Sequence, residues 1–412
     1  MTITAAQQSP PQALLIYLPG AENGELEQLL DTLGFTCAAS VHLTSVPAGA
    51  QYGVGTGKAA ELAAMAQHAG ADCIVCDFPI TPTQQRNWER LADIPVFDRH
   101  EVILRIFAAR AQTKEARLQT ELAQLAYALP RLAHLYGDMA RLRGGSYGAK
   151  GSGETQLELD RRTIRTRIAR LRGGIAQIEK ERATQRKKRT RTELASCALV
   201  GYTNAGKSSL LNALTGASLL VEDKLFATLD PATRRMAAGR SGSVLITDTV
   251  GFIHNLPHTL VDAFKSTLEE ACRAELLLIV IDTSDARAEA QYRTVVSVLD
   301  EIGACAHKRL LVYNKADASG AHCIPIKQTG GFPAVRVSAK TGAGIERLRQ
   351  RICALLYGPV REIRVPAQAY GLVAQIRPQS VIYREEWKNG GVYIRLRARA
   401  QALALIKSYL IH

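Results

Sequence analysis

The sequence lacks a long hydrophobic run: within its 412 residues, no apolar stretch reaches the ~18 residues that a membrane-spanning helix requires. The amino-terminal residues contain neither the basic nor the apolar segment of a secretory signal, so we expect a cytosolic protein. Aromatic residues are few, at 6%, and the 38 acidic residues are outnumbered by 52 lysines and arginines. The net charge of +14 is compatible with solubility alone, or with a polyanionic partner such as nucleic acid or a membrane surface.

Cysteine is also scarce, with eight residues scattered along the chain. Only Cys73 and Cys76 form a C-x-x-C pair, and neither a second pair nor a histidine pair follows at the spacing of a zinc site. The surrounding residues, Ala-Asp-Cys-Ile-Val-Cys-Asp-Phe, are typical of a buried strand. We therefore expect reduced cysteines in a hydrophobic core rather than a metal or redox site.

The length exceeds what one hydrophobic core supports, so we expect several domains. In residues 1–107, predicted strands alternate with predicted helices, a pattern that indicates a small parallel α/β domain. The strands are predicted at 14–18, 38–43, 73–76 and 94–97, and the helices at 25–33 and 59–68.

Residues 108–194 predict two long helices, each with leucines and isoleucines in the heptad pattern of helices that pack together. Two such helices joined by one loop predict an antiparallel hairpin, in which each helix covers the apolar stripe of the other. Pro130 and the Gly173-Gly174 pair are expected to weaken or bend it. The stripes are Leu118, Leu122, Leu125, Leu129 and Leu132 in the first helix, and Ile164, Ile168, Leu171, Ile175 and Ile178 in the second.

The segment between these helices, residues 143–153, contains five glycines and no large aliphatic side chain, so we expect it to be non-helical. It is either a flexible tip or a probe whose bare backbone and cations approach RNA, with Tyr147 stacking on a base. The basic net charge favours the second interpretation. The cations of residues 182–191 form either a solvated face or a surface that steers RNA. The candidate RNA contacts are Arg143, Gly144, Gly145, Ser146, Tyr147 and Lys150.

Residues 201–208, Gly-Tyr-Thr-Asn-Ala-Gly-Lys-Ser, match the phosphate-binding pattern G-x-x-x-x-G-K-[ST]. A predicted strand at 196–200 precedes the motif, and an apolar helix begins at Ser209. The amino terminus of that helix would direct free N–H groups and a positive dipole end at an anion. Lys207 would then reach the β- and γ-phosphates of a nucleotide, and Ser208 would bind Mg²⁺.

The remaining motifs of a GTPase follow in order within 195–357. A predicted strand ends in D-x-x-G at 248–251, where Asp248 would hold Mg²⁺ through water and the Gly251 amide would contact the γ-phosphate. Thr228 is the expected Mg²⁺-binding switch threonine. Another predicted strand ends in N-K-x-D at 314–317, where the Asp317 carboxylate would accept the guanine N1–H and N2–H, which adenine does not offer.

The segment Ser338-Ala-Lys340 is expected to close over guanine O6. Lys207, Thr228, Gly251 and Asn204 are the candidate catalytic residues. The candidate GTP-binding residues are Gly201, Tyr202, Thr203, Asn204, Ala205, Gly206, Lys207, Ser208, Ser209, Phe226, Ala227, Thr228, Leu229, Asp230, Asp248, Thr249, Val250, Gly251, Asn314, Lys315, Ala316, Asp317, Ser338, Ala339 and Lys340.

The residue after D-x-x-G is Phe252, whereas many GTPases have a glutamine there that positions the attacking water. Because a phenyl ring neither donates nor accepts a hydrogen bond, slow hydrolysis by the free protein is expected. A partner that orders the switch segments, or K⁺ held near Asn204, would complete the site. Asn204 is equally compatible with a role as a loop-stabilising amide.

Residues 360–412, after Gly358-Pro359, predict a small α+β domain with strands at 362–365, 371–376, 380–384 and 392–396 and a helix at 400–409. The expected fold class is thus α/β: an N-terminal α/β domain, a long helical hairpin, a P-loop GTPase domain and this C-terminal domain. The expected domain ranges are 1–107, 108–194, 195–357 and 360–412.

Three segments refine the prediction: residues 124–131, the glycine-rich region 144–162, and Phe-Ala-Thr-Leu-Asp-Pro-Ala-Thr-Arg at 226–234. With the ordered motifs, they resemble the HflX family of translation-factor-related P-loop GTPases. The resemblance implies a GTPase that binds the large ribosomal subunit and splits stalled ribosomes, notably under stress. We also expect a monomeric, cytoplasmic protein that uses Mg²⁺. It also implies that the hairpin and its loop reach ribosomal RNA.

Two other functions stay open at this stage. An ATP-driven RNA-remodelling enzyme would share the phosphate loop, but the N-K-x-D motif argues against it. A GTP-switched module on a membrane surface would use the basic excess, but the sequence has no lipidation motif or basic amphipathic helix with aromatic anchors.

Overall fold

The computed structural model describes residues 10–20, 24–45, 51–142, 152–189, 194–217, 224–226, 228, 231–254, 271–304, 308–318, 330–388 and 390–411. These residues form two compact units, one that ends at Gln177 and one that begins at Ile178. No helix within these ranges combines the length and apolarity that crossing a bilayer requires.

The amino-terminal part of the first unit is a parallel sheet covered by helices, as predicted. Its described strands follow the order β2-β1-β3-β4, and each pairs in parallel with its neighbours. The core combines the buried strands with the apolar faces of the helices. The strands are β1 (Gln12–Tyr17), β2 (Thr36–His42), β3 (Cys73–Cys76) and β4 (Val96–Asp98), and the helices are α1 (Glu25–Thr32), α2 (Thr56–His68), α3 (Pro82–Ala92) and α4 (Arg99–Arg110).

Helix α3 was not predicted, although the sequence carries its start signal. The Thr81 hydroxyl accepts from the Gln84 amide at 3.2 Å, while the Gln84 side chain accepts from the Thr81 amide at 2.8 Å. Pro82 then occupies the first turn, where its missing N–H costs nothing. This reciprocal cap satisfies two amides that the helix itself leaves unpaired.

The two cysteines of the C-x-x-C pair lie in β3, and both are free and buried in the core. Burial raises the pKa of the Cys73 thiol to about 12, and it also raises the pKa of Cys76. Thiols with raised pKa values are poor nucleophiles and poor metal ligands at neutral pH.

The two predicted long helices are α5 (Lys114–Leu142) and α6 (Ser152–Arg189), and Pro130 and the glycine pair lie within them. Arg167 of α6 donates to Glu121 of α5 at 2.7 Å. A Cβ on Gly174 would lie 3.5 Å from the Leu118 side chain. Glu121 thus faces Arg167, and Leu118 faces Gly174. Residue numbers increase along α6 where they decrease along α5, so the two helices run antiparallel where they touch.

Two details differ from the hairpin prediction. The predicted leucines of α5 are only half-buried, and α5 also contacts α3 and α4; the more deeply buried residues of α5 include Ala116, Gln119, Thr120 and Ala123. In addition, Ser152 and Gly153 belong to α6 rather than to the loop. A serine followed by Glu154 is favourable at the start of a helix. The prediction relied on glycine content alone and therefore made the loop too long. Residues 143–151 lie outside the described residues.

The second unit contains the GTPase sheet in the order β10-β9-β8-β5-β7-β6, in which the described strands are parallel except for β6. The antiparallel strand β6 was not predicted. The strands are β5 (Ala195–Gly201), β6 (Ala232–Ala238), β7 (Gly242–Asp248), β8 (Leu276–Asp282), β9 (Lys308–Asn314) and β10 (Ala334–Arg336), and the helices are α7 (Lys207–Thr215), α8 (Ala288–Glu301) and α9 (Ile345–Tyr357).

A three-stranded antiparallel sheet of order β11-β13-β12 completes the described part of this unit. The predicted strand 371–376 is instead a helix, because Val373 and Ile376 are buried one turn apart rather than on alternate residues. The strands are β11 (Arg361–Pro366), β12 (Ser380–Lys388) and β13 (Gly391–Ala398), and the helices are α10 (Gly371–Ile376) and α11 (Ala400–Ile406).

The small sheet packs directly on the turn between β6 and β7. The Arg240 amide donates to the Ile382 carbonyl at 2.7 Å. A Cβ on Gly239, whose φ is +59°, would lie 2.5 Å from that carbonyl oxygen. Glycine is therefore required here, and the side chain of Val381 joins the core of the GTPase sheet.

Candidate functional site

The phosphate-binding loop links β5 to α7, and Lys207 is the first residue of that helix. Two of its glycines are required by close approaches. A Cβ on Gly201 would lie 2.4 Å from the Val280 carbonyl oxygen, and one on Gly206 would lie 2.3 Å from the Asn314 amide nitrogen. Gly206 also has a φ of +86°, which L side chains rarely adopt.

Lys207 is buried, and its ammonium donates to the carbonyls of Gly201 at 3.1 Å and Tyr202 at 2.7 Å. Burial lowers its pKa to about 8, and the nearby Asp248 carboxylate offsets only part of that effect. The ammonium thus sits inside the loop, in contact with neutral oxygens that a phosphate would replace.

The three candidate magnesium residues meet at one point. The Ser208 hydroxyl donates to Asp248 Oδ2 at 2.6 Å, the Thr228 hydroxyl donates to the same oxygen at 3.1 Å, and the two hydroxyls lie 2.7 Å apart. Burial raises the pKa of Asp248, and Lys207 opposes the shift.

Asp248 Oδ1 is buried and has no hydrogen-bond partner among the described residues. A carboxylate and two hydroxyls are oxygen ligands of the kind that Mg²⁺ prefers, and the unsatisfied carboxylate oxygen is the group a cation would compensate. These residues therefore fit Mg²⁺.

The D-x-x-G segment runs against the phosphate loop. The Phe252 amide donates to the Gly201 carbonyl at 3.0 Å, and the Phe252 carbonyl accepts from the Thr203 amide at 2.7 Å. A Cβ on Gly251 would lie 2.8 Å from Thr203 and 3.0 Å from the Lys207 ammonium, so this glycine is also required. The side chains of Phe252 and Val250 are both buried. The Thr249 hydroxyl donates to the Leu199 carbonyl at 2.7 Å.

The candidate base-binding residues meet at the carboxyl end of β9. The buried Asn314 donates to the Ala205 carbonyl at 2.9 Å and accepts from the Ala339 amide at 3.1 Å, so it joins the phosphate loop to the segment 338–340. Lys315 forms an ion pair with Asp282 at 2.7 Å. A hydrogen bond with Ser338 is the main cause that lowers the pKa of the exposed Asp317.

A cavity of about 50 Å³ lies between the phosphate loop and the segment around Thr228, and ligand pockets commonly measure ~300–1,000 Å³. Phe226, whose side chain is nearly fully buried, is one of its lining residues. The cavity thus corresponds to the part of the site expected to hold the phosphates. The cavity is lined by Thr203, Asn204, Gly206, Lys207, Ser208, Ser209, Lys224, Phe226, Thr228, Thr249 and Gly251.

Nine candidates lie outside the described residues: Ala227, Leu229, Asp230, Arg143, Gly144, Gly145, Ser146, Tyr147 and Lys150. Asn204 has a φ of +58°, a conformation that asparagine tolerates, and this agrees with the loop-stabilising role while leaving K⁺ binding a prediction.

Sequence reasoning missed Lys224, which lines the cavity. It included Tyr202 among the candidate GTP-binding residues but not the contact of its side chain, whose hydroxyl accepts from the His254 amide at 2.8 Å. Lys224 belongs to no motif; only its position four residues before Thr228 could have indicated it. Tyr202 occupies a variable position of the phosphate-loop pattern, so the pattern gave its side chain no role.

Three family models match the chain. They describe the N-terminal region of a GTP-binding GTPase at residues 21–108, the middle region of a GTP-binding GTPase at 110–189, and a 50S ribosome-binding GTPase at 196–315. Together these ranges include the candidate phosphate, metal and N-K-x-D residues, up to Lys315.

Curated relatives match over most of the chain. GTPase HflX of Spirochaeta thermophila is 42% identical over 373 residues, which cover 90% of this chain and 91% of the relative. GTPase HflX of Escherichia coli is 40% identical over 398 residues, which cover 94% of this chain and 93% of the relative. Among solved structures, a GTP-binding protein from Sulfolobus solfataricus in complex with GDP covers 84% of this chain and 98% of its own, with 23% identity and a TM-score of 0.47.

Proposed function

The chain belongs to the HflX family of GTPases, and we propose that it hydrolyses GTP at the site around Lys207 and uses the nucleotide state to control binding to the large ribosomal subunit. The observation that carries this proposal is the meeting of Ser208, Thr228 and Asp248 at one point beside the buried Lys207. That arrangement supplies a cation site and an ammonium next to a phosphate-binding loop.

In the proposed binding mode, the amino terminus of α7 and the loop amides hold the phosphates. Lys207 exchanges its two carbonyl contacts for phosphate oxygens. Ser208, Thr228 and Asp248 would hold Mg²⁺, directly or through water, and the ion would neutralise charge on the β- and γ-phosphates. Asp317 accepts from guanine, and Asn314 keeps the 338–340 segment close to the loop that holds the phosphates.

The free protein is expected to hydrolyse GTP slowly. The Phe252 ring is buried, and both backbone groups of this residue bond to the phosphate loop, so no side chain at this position orients water. A water-positioning group, or an ordered Thr228 segment, must come from a bound partner or from K⁺ near Asn204.

The large subunit is the partner that we propose. A family model described as a 50S ribosome-binding GTPase matches residues 196–315, and the net charge of +14 suits an RNA surface. We further propose that binding splits stalled ribosomes during stress, with residues 143–153 in contact with ribosomal RNA, and that the protein is cytoplasmic and partly ribosome-associated.

Sedimentation with purified large subunits tests the proposal. The protein should pellet most strongly with a non-hydrolysable GTP analogue, less with GDP and least without nucleotide. Large subunits should also raise the single-turnover rate of GTP hydrolysis, while small subunits serve as the matched control. Equal pelleting in all three nucleotide states, with no stimulation by large subunits, would contradict the proposal.

A further inference from the structure

The outer face of the C-terminal sheet carries cations that the GTPase motifs do not use. Along β13, buried residues alternate with Tyr393, Arg395 and Arg397, which therefore share the face opposite the small core. The antiparallel register places Arg364 opposite Tyr393 and Arg384 opposite Arg395. Directly opposite residues of antiparallel strands point to the same side, so these side chains form one surface.

This surface continues into a cleft of about 360 Å³ on the GTPase sheet. Its lining includes Arg397, together with Arg347 and Arg351 from one face of α9, and its lining residues include no acidic side chain. Among the described residues, neither Arg347 nor Arg351 has an ion-pair or hydrogen-bond partner, and both are exposed. Two exposed guanidinium groups without partners are available for an external anion.

We call the combined surface the basic strip: Arg347, Arg351, Arg364, Arg384, Lys388, Arg395 and Arg397, with Tyr393 among them. Its acidic neighbours are Glu346, Glu362 and Glu386. Glu386 pairs with both Arg384 and Lys388, and Glu362 lies 3.9 Å from Arg395. Arg384 and Arg395 lie opposite each other, and these glutamates supply their counter-charges. A polyanion would instead neutralise Arg347 and Arg351, which have no acidic partner among the described residues.

Tyr393 indicates which polyanion fits. The Arg364 guanidinium lies over its ring, 5.6 Å from the ring centroid, so an aromatic ring and a planar cation are neighbours within the strip. Single-stranded RNA is recognised by stacking on aromatic and guanidinium planes, with the backbone held by cations. The described large apolar side chains that are exposed, such as Trp387 and Leu405, are not part of the strip, so it has no anchor for a lipid surface.

We propose that the basic strip is an RNA-binding surface, in which Arg347, Arg351 and Arg397 hold phosphates in the cleft and Tyr393 stacks on an unpaired base. The inference rests on the proposed function for the identity of the RNA, which is then ribosomal. It gives the C-terminal domain a contact separate from residues 143–153.

The test compares full-length variants for binding to large subunits and to a synthetic RNA stem-loop with an unpaired loop. In R347Q/R351Q, the slope of log affinity against log salt should fall by roughly 1.4–1.8, because two phosphate contacts are lost. The control K58Q/R293Q removes two exposed cations of surface ion pairs outside the strip, and its slope should match the wild type. Y393L should weaken stem-loop binding roughly 5- to 150-fold, whereas Y393F, which keeps the ring, should not.

Unchanged GDP binding and thermal unfolding show that each variant is folded. If R347Q/R351Q binds both RNA probes like K58Q/R293Q, the inference is overturned. It is also overturned if the variant loses binding only to phosphatidylserine vesicles or to an acidic peptide. If wild-type protein binds the stem-loop through the strip but never large subunits, the proposed function fails while the inference stands.

Discussion

Replacing Asn314 by alanine tests whether one buried amide holds the two halves of the nucleotide site together. The residue is almost fully buried, and its side chain bonds to Ala205 in the phosphate loop and to Ala339 in the segment expected to cover the base. These two partners are 109 and 25 residues away along the chain. The side chain of Asn314 therefore joins the loop expected to hold the phosphates to the segment expected to cover the base.

The structure gives the size of the effect. N314A removes the hydrogen-bond partner of the Ala205 carbonyl and of the Ala339 amide. Each unsatisfied buried group lowers the free energy of unfolding by about 1–3 kcal/mol. The two groups together give a loss of roughly 2–6 kcal/mol, a large part of the ~5–15 kcal/mol that stabilises a typical domain. N314D keeps the volume and the acceptor for Ala339 but sets a carboxylate oxygen against the Ala205 carbonyl, so it should be at least as harmful.

Urea unfolding and GDP titration measure the two consequences on the same samples. Both variants should unfold at lower urea and bind GDP at least tenfold more weakly. The control is T294A, which removes a hydrogen bond of similar type from an exposed helix position and should change stability by less than ~0.5 kcal/mol. Asn314 is not the link that we infer if N314A behaves like T294A in both assays.

Four further predictions address separate parts of the site. D317N should weaken GTP and favour xanthosine triphosphate, whose oxygen replaces the guanine amine; retained GTP affinity in competition titrations would refute the role of Asp317. The pKa of Lys207 is about 8 because of burial, and polyphosphate should raise it. GTP binding between pH 8 and 9 should therefore take up a proton and weaken as pH rises, and calorimetry in buffers of different ionisation enthalpy should find no such uptake in K207M. Deleting residues 143–153 should abolish specific ribosome binding or splitting but not GTP binding; unchanged ribosome splitting would contradict this. Single-turnover hydrolysis should be faster in K⁺ than in Na⁺, and N204A should lose the difference; equal rates in the two salts would remove K⁺ from the site.

The parts of the site predicted best from sequence are those that follow strands. Asp248 and Asn314 end β7 and β9, and the carboxyl ends of parallel strands lie at one edge of a sheet. Residues far apart in sequence are therefore brought together by topology alone. The contact between Ser208, Thr228 and Asp248 could be predicted in the same way. Ser208 and Asp248 belong to motifs with fixed spacing, so their positions near this edge of the sheet follow from the motifs.

The errors have a different origin. Residues 371–376 contain a valine and an isoleucine that favour a strand, but contacts of Val373 and Ile376 with the C-terminal core select a helix. In α5, the leucine pattern indicated one partner helix, whereas this helix also contacts α3 and α4, and its most deeply buried residues are not the leucines. Both choices depend on elements distant in sequence, so local pattern could not decide them.

The described contacts also connect the phosphate cavity to the metal site. Thr228 lines the cavity of about 50 Å³, and its hydroxyl contacts both Ser208 and Asp248. A cation that takes Ser208, Thr228 and Asp248 as ligands would replace the hydrogen bonds among them with metal contacts. The hydrogen-bonded arrangement and the Mg²⁺-bound arrangement therefore compete for the same three side chains.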